Sequence, residues 1–216
     1  MNQLKCYILL FPTTISRITI YLIYPVVMTV ILTLGFFLVE EANAVWGFAA
    51  SYGIMVECIV DSFVCGDILA AGAGGQEFLK TAALREKLLL KALKIDKIRR
   101  FSYFTVLIWI PLLLCSAWDK AIGAKVGVIV LYSCMMATEI ILFIMRRYLP
   151  TGVSWAWIWG MAGGVLELGV MMCFWGVHQH LTVIQLVILM IFLYFLLCML
   201  LQRCSRKALE RQYYDR

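Results

Sequence analysis

The chain has 216 residues, of which 63% are hydrophobic and only 15% are charged. A soluble domain has about 45–50% apolar and about 25% charged residues, so this composition excludes an ordinary soluble protein. Several apolar runs are long enough to cross a bilayer as a helix, and the sequence therefore predicts one integral membrane domain over residues 1–216.

The apolar runs predict an all-α fold with six transmembrane helices, at 18–39, 44–69, 102–118, 124–145, 153–176 and 182–202. All but two of the 19 lysines and arginines then lie on one face of the membrane, the exceptions being Lys120 and Lys125. Because basic residues favour the cytoplasmic side, this asymmetry predicts that both termini are cytoplasmic. The loops on the opposite side are short, so a substrate is expected to enter from the cytoplasm or from the bilayer.

The long polar stretch of the chain is "GGQEFLKTAALREKLLLKALKIDKIRRF" at 74–101. Gly74 and Gly75 are typical of a break after a helix, and the residues that follow are rich in strong helix formers. One interpretation is a helix held against anionic lipid, where each basic residue contributes about 1 kcal/mol. The other is a docking element for a cytoplasmic partner.

The second interpretation is favoured by a resemblance to type-2 ATP-binding cassette (ABC) transporter permeases of the bacterial exporter class. In that class a cytoplasmic coupling helix lies between spans two and three, and an elbow helix lies in the interface before span one. Residues 76–98 resemble the coupling segment and residues 1–14 the elbow. The loop at 177–182 departs from the class, because it is too short for the re-entrant helices commonly found there. The residues that carry the coupling-segment pattern are Phe78, Leu79, Lys80, Thr81, Arg85, Lys87, Leu88 and Leu89.

The resemblance implies the permease subunit of an exporter in the bacterial plasma membrane, paired with a second permease subunit in a homodimer or heterodimer. The substrate class expected from it is an amphipathic peptide, a lipid or a drug-like molecule. The chain has no GxxxxGK[ST] motif, so it is not expected to bind nucleotide or to be an enzyme. ATP and Mg are expected in a separate cytoplasmic ABC ATPase subunit, and no cofactor is expected in this chain.

Carboxylates inside the predicted spans are candidates for function, because an acid near the bilayer centre costs about 2.5–3.5 kcal/mol. Glu57 and Asp61 share a helix face at i, i+4, and Glu167 lies in the fifth predicted span. No Lys or Arg falls at a comparable depth in the predicted spans, so these acids are expected to lack cationic partners. They either line a translocation path, serve as hydrogen-bonded structural groups, or relay a proton or cation in a secondary transporter.

Gly160 and Gly164 form a GxxxG pattern in the fifth predicted span, which favours close helix packing within the chain or across a dimer. A membrane enzyme is the least favoured alternative. Glu40 and Glu41 resemble the start of the Glu-Glu-x-x-x-Arg motif of intramembrane proteases, but Val45 occupies the position of its arginine. No metal ligands are predicted, and the basic residues are explained by the membrane rather than by nucleic acid.

Overall fold

The computed structural model describes residues 15, 18–38, 52–61, 85–114, 120–148 and 153–214. Within these ranges the backbone is almost entirely helical, and no strand occurs in them, which confirms the all-α class. The helices described are α1 (Tyr24–Leu38), α2 (52–61), α3 (Arg85–Leu114), α4 (Lys120–Tyr148), α5 (Val153–Trp175) and α6 (Val183–Tyr214). A single 3-10 turn, His178–His180, connects α5 and α6.

Three of the described helices are long and apolar enough to cross a membrane: Ala124–Met145 in α4, Trp157–Trp175 in α5 and Val183–Cys204 in α6. They coincide with three of the six predicted spans and are candidates to cross the membrane. Within the bundle, 83% of the α4 span is buried, against 22% of the α5 span and 11% of the α6 span. The α4 helix is therefore the central one, and α5 and α6 leave large apolar faces available to lipid.

The core forms where the other helices pack around α4. Helices α3, α5 and α6 each pack against α4, and α1 packs against α3. The described part of α2 lies between α3 and α5, since Gly53 abuts Phe104 on one side and Met55 abuts Gly160 on the other. The fully buried apolar side chains at the centre include Ile54, Phe104, Ile129, Met135, Leu142, Met145, Leu186 and Met190.

A proline marks the beginning of α1. Pro25 has no N–H to donate and its ring clashes with the carbonyl of a regular preceding turn. The preceding residues Thr19–Ile23 form a π-helical turn, in which the Tyr24 N–H donates to the Thr19 carbonyl. After the proline, the Thr29 hydroxyl donates to the Pro25 carbonyl at 2.7 Å. The wider turn accommodates the ring, and the helix continues.

The α3 helix begins within the basic segment, by which we mean residues 74–101. The sequence predicted a third span at 102–118 that could recruit part of this segment, and the structure has one helix from Arg85 to Leu114. At 1.5 Å per residue this helix is about 45 Å long, so it continues from the basic segment into the bundle. Strong helix formers run without interruption across residue 102, and the change from polar to apolar side chains does not end a helix.

Candidate functional site

A group of charged side chains is buried where α2, α3 and α4 meet. We call it the charge cluster, and it consists of Glu57, Asp96, Lys97, Arg99, Arg100 and Glu139. Glu57 comes from α2, Glu139 comes from α4, and the other four residues occupy little more than one turn of α3. Asp96, Arg99 and Arg100 share one face of α3, because residues at i, i+3 and i+4 are neighbours on a helix.

Arg100 lies at the centre of the charge cluster, and its side chain is 1% exposed. Its Nη1 donates to Glu139 Oε1 at 2.7 Å, and its Nε donates to Glu57 Oε2 at 3.3 Å. Its Nη2 donates to Asp96 Oδ2. A guanidinium group carries five N–H donors in a fixed plane, so one arginine reaches three carboxylates on three helices.

Arg99 makes the second set of contacts. Its Nη1 and Nη2 donate to the two oxygens of Glu57 at 3.2 and 2.6 Å, which is the paired geometry that arginine and carboxylate favour. Its Nε and Nη2 also lie 3.4 and 3.2 Å from Asp96 Oδ1. Glu57 therefore accepts hydrogen bonds from two arginines, and Asp96 links the same two arginines from within α3.

Lys97 extends the charge cluster to a fourth helix. Its ammonium group lies 3.0 Å from Glu139 Oε2 and donates to Cys198 Sγ of α6 at 3.6 Å. The Lys97 side chain is 32% exposed, whereas that of Glu139 is 5% exposed. Lys97 therefore lies at the edge of the charge cluster, with Arg100 at its interior.

The charges of these six residues balance, since three cations face three carboxylates. Removing a charge from water into a protein interior costs several kcal/mol, and it is offset only where each ion has a partner and its hydrogen bonds are made. Every member of the charge cluster has at least one oppositely charged partner. Asp61, also buried, lies one turn from Glu57 on α2.

Glu139 and Cys198 lie within the long apolar stretches of α4 and α6. Glu139 precedes the end of the α4 stretch at Met145 by six residues, and Cys198 precedes the end of the α6 stretch at Cys204 by six. At 1.5 Å per residue, both positions are about 9 Å from those ends. The side chains of Arg100 and Glu139 are only 1% and 5% exposed, so their contact is shielded from water.

The expectation that the intramembrane acids lack cationic partners was wrong. Arg99 and Arg100 were assigned to the cytoplasmic segment, but the continuity of α3 brings them level with Glu57 and Glu139. The signal that could have revealed this is the spacing of Asp96, Arg99 and Arg100 on one helix face next to an apolar run. A search for apolar runs treats each charge separately and cannot detect pairing between helices.

Glu167 lies in a different environment from Glu57. It is fully buried in α5, and its Oε1 lies 3.8 Å from Cys134 Sγ of α4. Its Oε2 has no hydrogen-bond partner among the described residues. Two of the predicted path residues therefore have different partners. Glu57 is paired with two arginines, whereas Glu167 lies beside the Cys134 thiol.

The two glycines of the GxxxG pattern are buried in α5. A Cβ on Gly160 would lie 2.5 Å from both Cα and Cβ of Met55, so α2 approaches α5 closely there. The neighbouring Gly163 has a similar role, because a Cβ there would lie 2.6 Å from Ile54 Cγ2. At Gly160 the close approach is therefore made within the chain.

The predicted docking residues fall mostly outside the described part of the chain. Residues 1–14 and 76–84 are not described, so the elbow, Phe78, Leu79, Lys80 and Thr81 stay predictions. The other four predicted docking residues belong to the first turns of α3, and they are Arg85, Lys87, Leu88 and Leu89. In the part of the chain that the structure describes, no group of three His, Cys, Asp or Glu is arranged to hold a metal ion.

Comparisons with known proteins identify no relative. No protein-family model matches the chain, and no curated protein and no solved structure is significantly similar to it. The function is therefore inferred from the geometry of the helices and of the charge cluster.

Proposed function

We propose that this chain is the transmembrane subunit of an ATP-driven ABC exporter, which moves an amphipathic peptide, lipid or drug-like substrate across the plasma membrane. A separate cytoplasmic ATPase supplies ATP hydrolysis, and a second permease subunit completes the transporter. Residues 76–98 dock the ATPase, and the remaining predicted spans complete a six-helix bundle with both termini in the cytoplasm. Glu57, Asp61 and Glu167 lie along the translocation path.

The observation that supports this proposal most strongly is the continuity of α3 with the charge cluster. The helix begins in the basic segment and runs about 45 Å into the bundle without a break. At residues 96–100 it is joined to α2 and α4 by three ion pairs of Arg99 and Arg100, and by a fourth from the half-buried Lys97. A displacement of the basic segment would therefore move the helices that carry Glu57 and Glu139.

Such an arrangement is suited to coupling by rigid-body motion. A buried charge that leaves its partner pays a large desolvation cost, so the cluster favours movement of α2, α3 and α4 together over sliding of one past another. A partner that pushes on the basic segment then biases the whole bundle between two states. A helix that only rested on lipid would need no such connection to the interior.

Co-purification tests the proposal. The tagged chain is isolated from its native membrane in mild detergent, and bound proteins are identified by mass spectrometry. We expect an ATPase with a GxxxxGK[ST] motif, which is lost when residues 78–90 are scrambled and kept in the matched variant Lys120→Gln at the opposite end of the bundle. Recovery of the folded wild-type chain without any such ATPase would contradict the proposal.

The environment of Glu167 favours a second candidate, a proton- or cation-coupled secondary transporter. Its carboxylate keeps one oxygen without a partner among the described residues, whereas Glu57 is held by two arginines. In that case purified chain in liposomes moves substrate under a pH gradient without ATPase, and Glu167→Gln abolishes the movement. ATP-dependent transport that ignores the pH gradient excludes this candidate.

A further inference from the structure

Glu167 differs from the carboxylates of the charge cluster because no cation lies beside it among the described residues. Glu57, Asp96 and Glu139 each contact an arginine or a lysine. Glu167 is 0% exposed, its Oε1 lies 3.8 Å from Cys134 Sγ, and its Oε2 has no hydrogen-bond partner in the described part of the chain. The charge cluster has three cations for its three carboxylates, so it has no unbalanced positive charge to offer Glu167.

The Glu167 side chain faces the interior of the bundle. Gly163, one turn before it on α5, packs against Ile54 of α2 and Ile141 of α4. Residues four apart lie on the same face of a helix, so Glu167 occupies the face of α5 that meets α2 and α4. Its contact with Cys134 of α4 agrees with this position.

Two tyrosines extend the polar groups around Glu167 towards the charge cluster. Tyr24 of α1 and Tyr103 of α3 stack, with ring centroids 4.7 Å apart. Their hydroxyls are buried and interact electrostatically, but neither has a partner in hydrogen-bond geometry among the described residues. Tyr103 also interacts electrostatically with Cys134 and with Glu57. Unpaired polar groups are uncommon in protein interiors and often mark a bound water or ligand, so these groups have hydrogen-bonding capacity to spare.

The chemistry of these groups favours an organic cation over a metal ion. An ionised carboxylate that is buried away from water requires an opposite charge close by. In the ranges that the structure describes, no third His, Cys, Asp or Glu joins Cys134 and Glu167 to hold a metal. The faces of phenol rings, by contrast, attract ammonium groups. The neighbours of Glu167 along α5, residues 163–166 and 168–172, are all apolar or glycine, which suits a hydrocarbon chain attached to the ammonium group.

We infer that Glu167 binds the ammonium group of a cationic amphiphile, beside Cys134 and the two stacked phenols. This inference rests on the proposed function, in which Glu167 lies along the translocation path, and it specifies the substrate class as amphipathic molecules that carry an amine. Glu57 does not bind the substrate directly, because both of its oxygens already accept hydrogen bonds from Arg99 and Arg100.

Thiol labelling of Cys134 tests the inference, because this thiol contacts Glu167. The full chain in phosphatidylcholine nanodiscs is treated with cationic 2-aminoethyl methanethiosulfonate or with neutral methyl methanethiosulfonate, and modification of Cys134 is followed by peptide mass spectrometry. The two rates are normalised to those of 2-mercaptoethanol in the same buffer. We expect the cationic reagent to be favoured about tenfold, because a buried carboxylate raises the local concentration of cations.

Two variants and a competitor make the test specific. Glu167→Gln should abolish the preference for the cationic reagent, and Glu167→Asp, which keeps the charge, should retain it. Dodecylamine should slow the labelling of the wild-type chain, whereas the neutral dodecanol should not. Thermal melting in the same nanodiscs verifies that both variants are folded.

Two results would overturn the inference. An equal preference in the wild-type chain and in Glu167→Gln would show that Glu167 holds a proton or has only a structural role. Failure of Cys134 to react with either reagent would show that a substrate cannot reach the site. Neither result involves an ATPase, so both leave the co-purification test untouched. A cation preference in a chain that co-purifies with no ATPase would keep the cation site and remove the exporter.

Discussion

Charge balance around Arg100 is the most specific property of the molecule at the scale of single residues. Replacing Arg100 with glutamine leaves three carboxylates facing two cations in a buried site. We expect a loss of about 3–5 kcal/mol in the free energy of unfolding, because an unpaired buried charge is far more costly than the pair. Thermal or denaturant unfolding of the purified chain in detergent measures the loss, with Lys94→Gln, an exposed position on the same helix, as the control.

The double variant Arg100→Gln/Glu139→Gln separates charge balance from the loss of particular contacts. Two cations, Lys97 and Arg99, then face two carboxylates, Glu57 and Asp96. We expect the double variant to be more stable than either single one, so the two effects are strongly non-additive. Simple additivity of the two single losses would show that balance is not what stabilises the site.

Glu57 and Glu167 are expected to respond differently to removal of charge. Glu57→Gln removes the partner of two arginines and should lower stability in the same range as Arg100→Gln. Glu167→Gln, by contrast, breaks no ion pair of the charge cluster and keeps an acceptor for Cys134. We expect near-wild-type melting but about a tenfold lower export rate, which corresponds to about 1.4 kcal/mol in the barrier. A normal export rate for Glu167→Gln would place it outside the translocation path.

At the scale of elements, the contact between α2 and α5 depends on a missing side chain. Gly160→Ala places a Cβ against the backbone of Met55, which cannot rotate away. We expect a loss of about 1–3 kcal/mol in the free energy of unfolding, as for other overpacked sites. Gly169→Ala on the same helix is the matched control, because nothing lies within 4 Å of its new Cβ. A loss for Gly160→Ala that varies with protein concentration would instead indicate contact across a dimer.

The continuity of α3 has its own test. Lys94→Pro removes one backbone hydrogen bond and kinks the helix between the basic segment and the charge cluster, at a cost of about 3 kcal/mol. We expect this variant still to bind the ATPase but to lose substrate stimulation of ATP hydrolysis. Lys94→Ala removes the same charge but keeps the helix, so we expect it to retain the stimulation and thereby to separate the kink from the loss of charge. Full stimulation in Lys94→Pro would show that α3 does not transmit the movement.

The sequence could predict those helices whose position depends on the length of an apolar run. A span was predicted at 124–145, and α4, Lys120–Tyr148, contains an apolar stretch of that length, because a long apolar run bounded by charges favours one continuous helix. The continuity of α3 was not decided by apolar length, because hydropathy changes along that helix while helix propensity does not. The pairing of Arg100 with Glu139 was missed for a different reason, since it joins residues 39 positions apart and depends on the packing of α3 on α4.

At the scale of the whole molecule, the bundle has one side with charged contacts and another with large exposed apolar faces. The lipid-accessible faces of α5 and α6 carry large apolar side chains such as Met161, Val165, Ile184 and Phe195. Among the described residues, the charge cluster joins α2, α3 and α4, and Lys97 extends it to Cys198 of α6. A force applied at the start of α3 would therefore act on one side of the bundle, where α4 connects it to the rest.

Photo-crosslinking in living cells tests the exporter proposal most directly. The photoreactive amino acid p-benzoylphenylalanine is introduced at Leu88, in the basic segment, or at Ile184, an exposed control position at the opposite end of the bundle. The proposal predicts an ultraviolet-dependent adduct with a GxxxxGK[ST] ATPase at position 88 and none at position 184. Adducts at position 88 that contain lipid alone would contradict it.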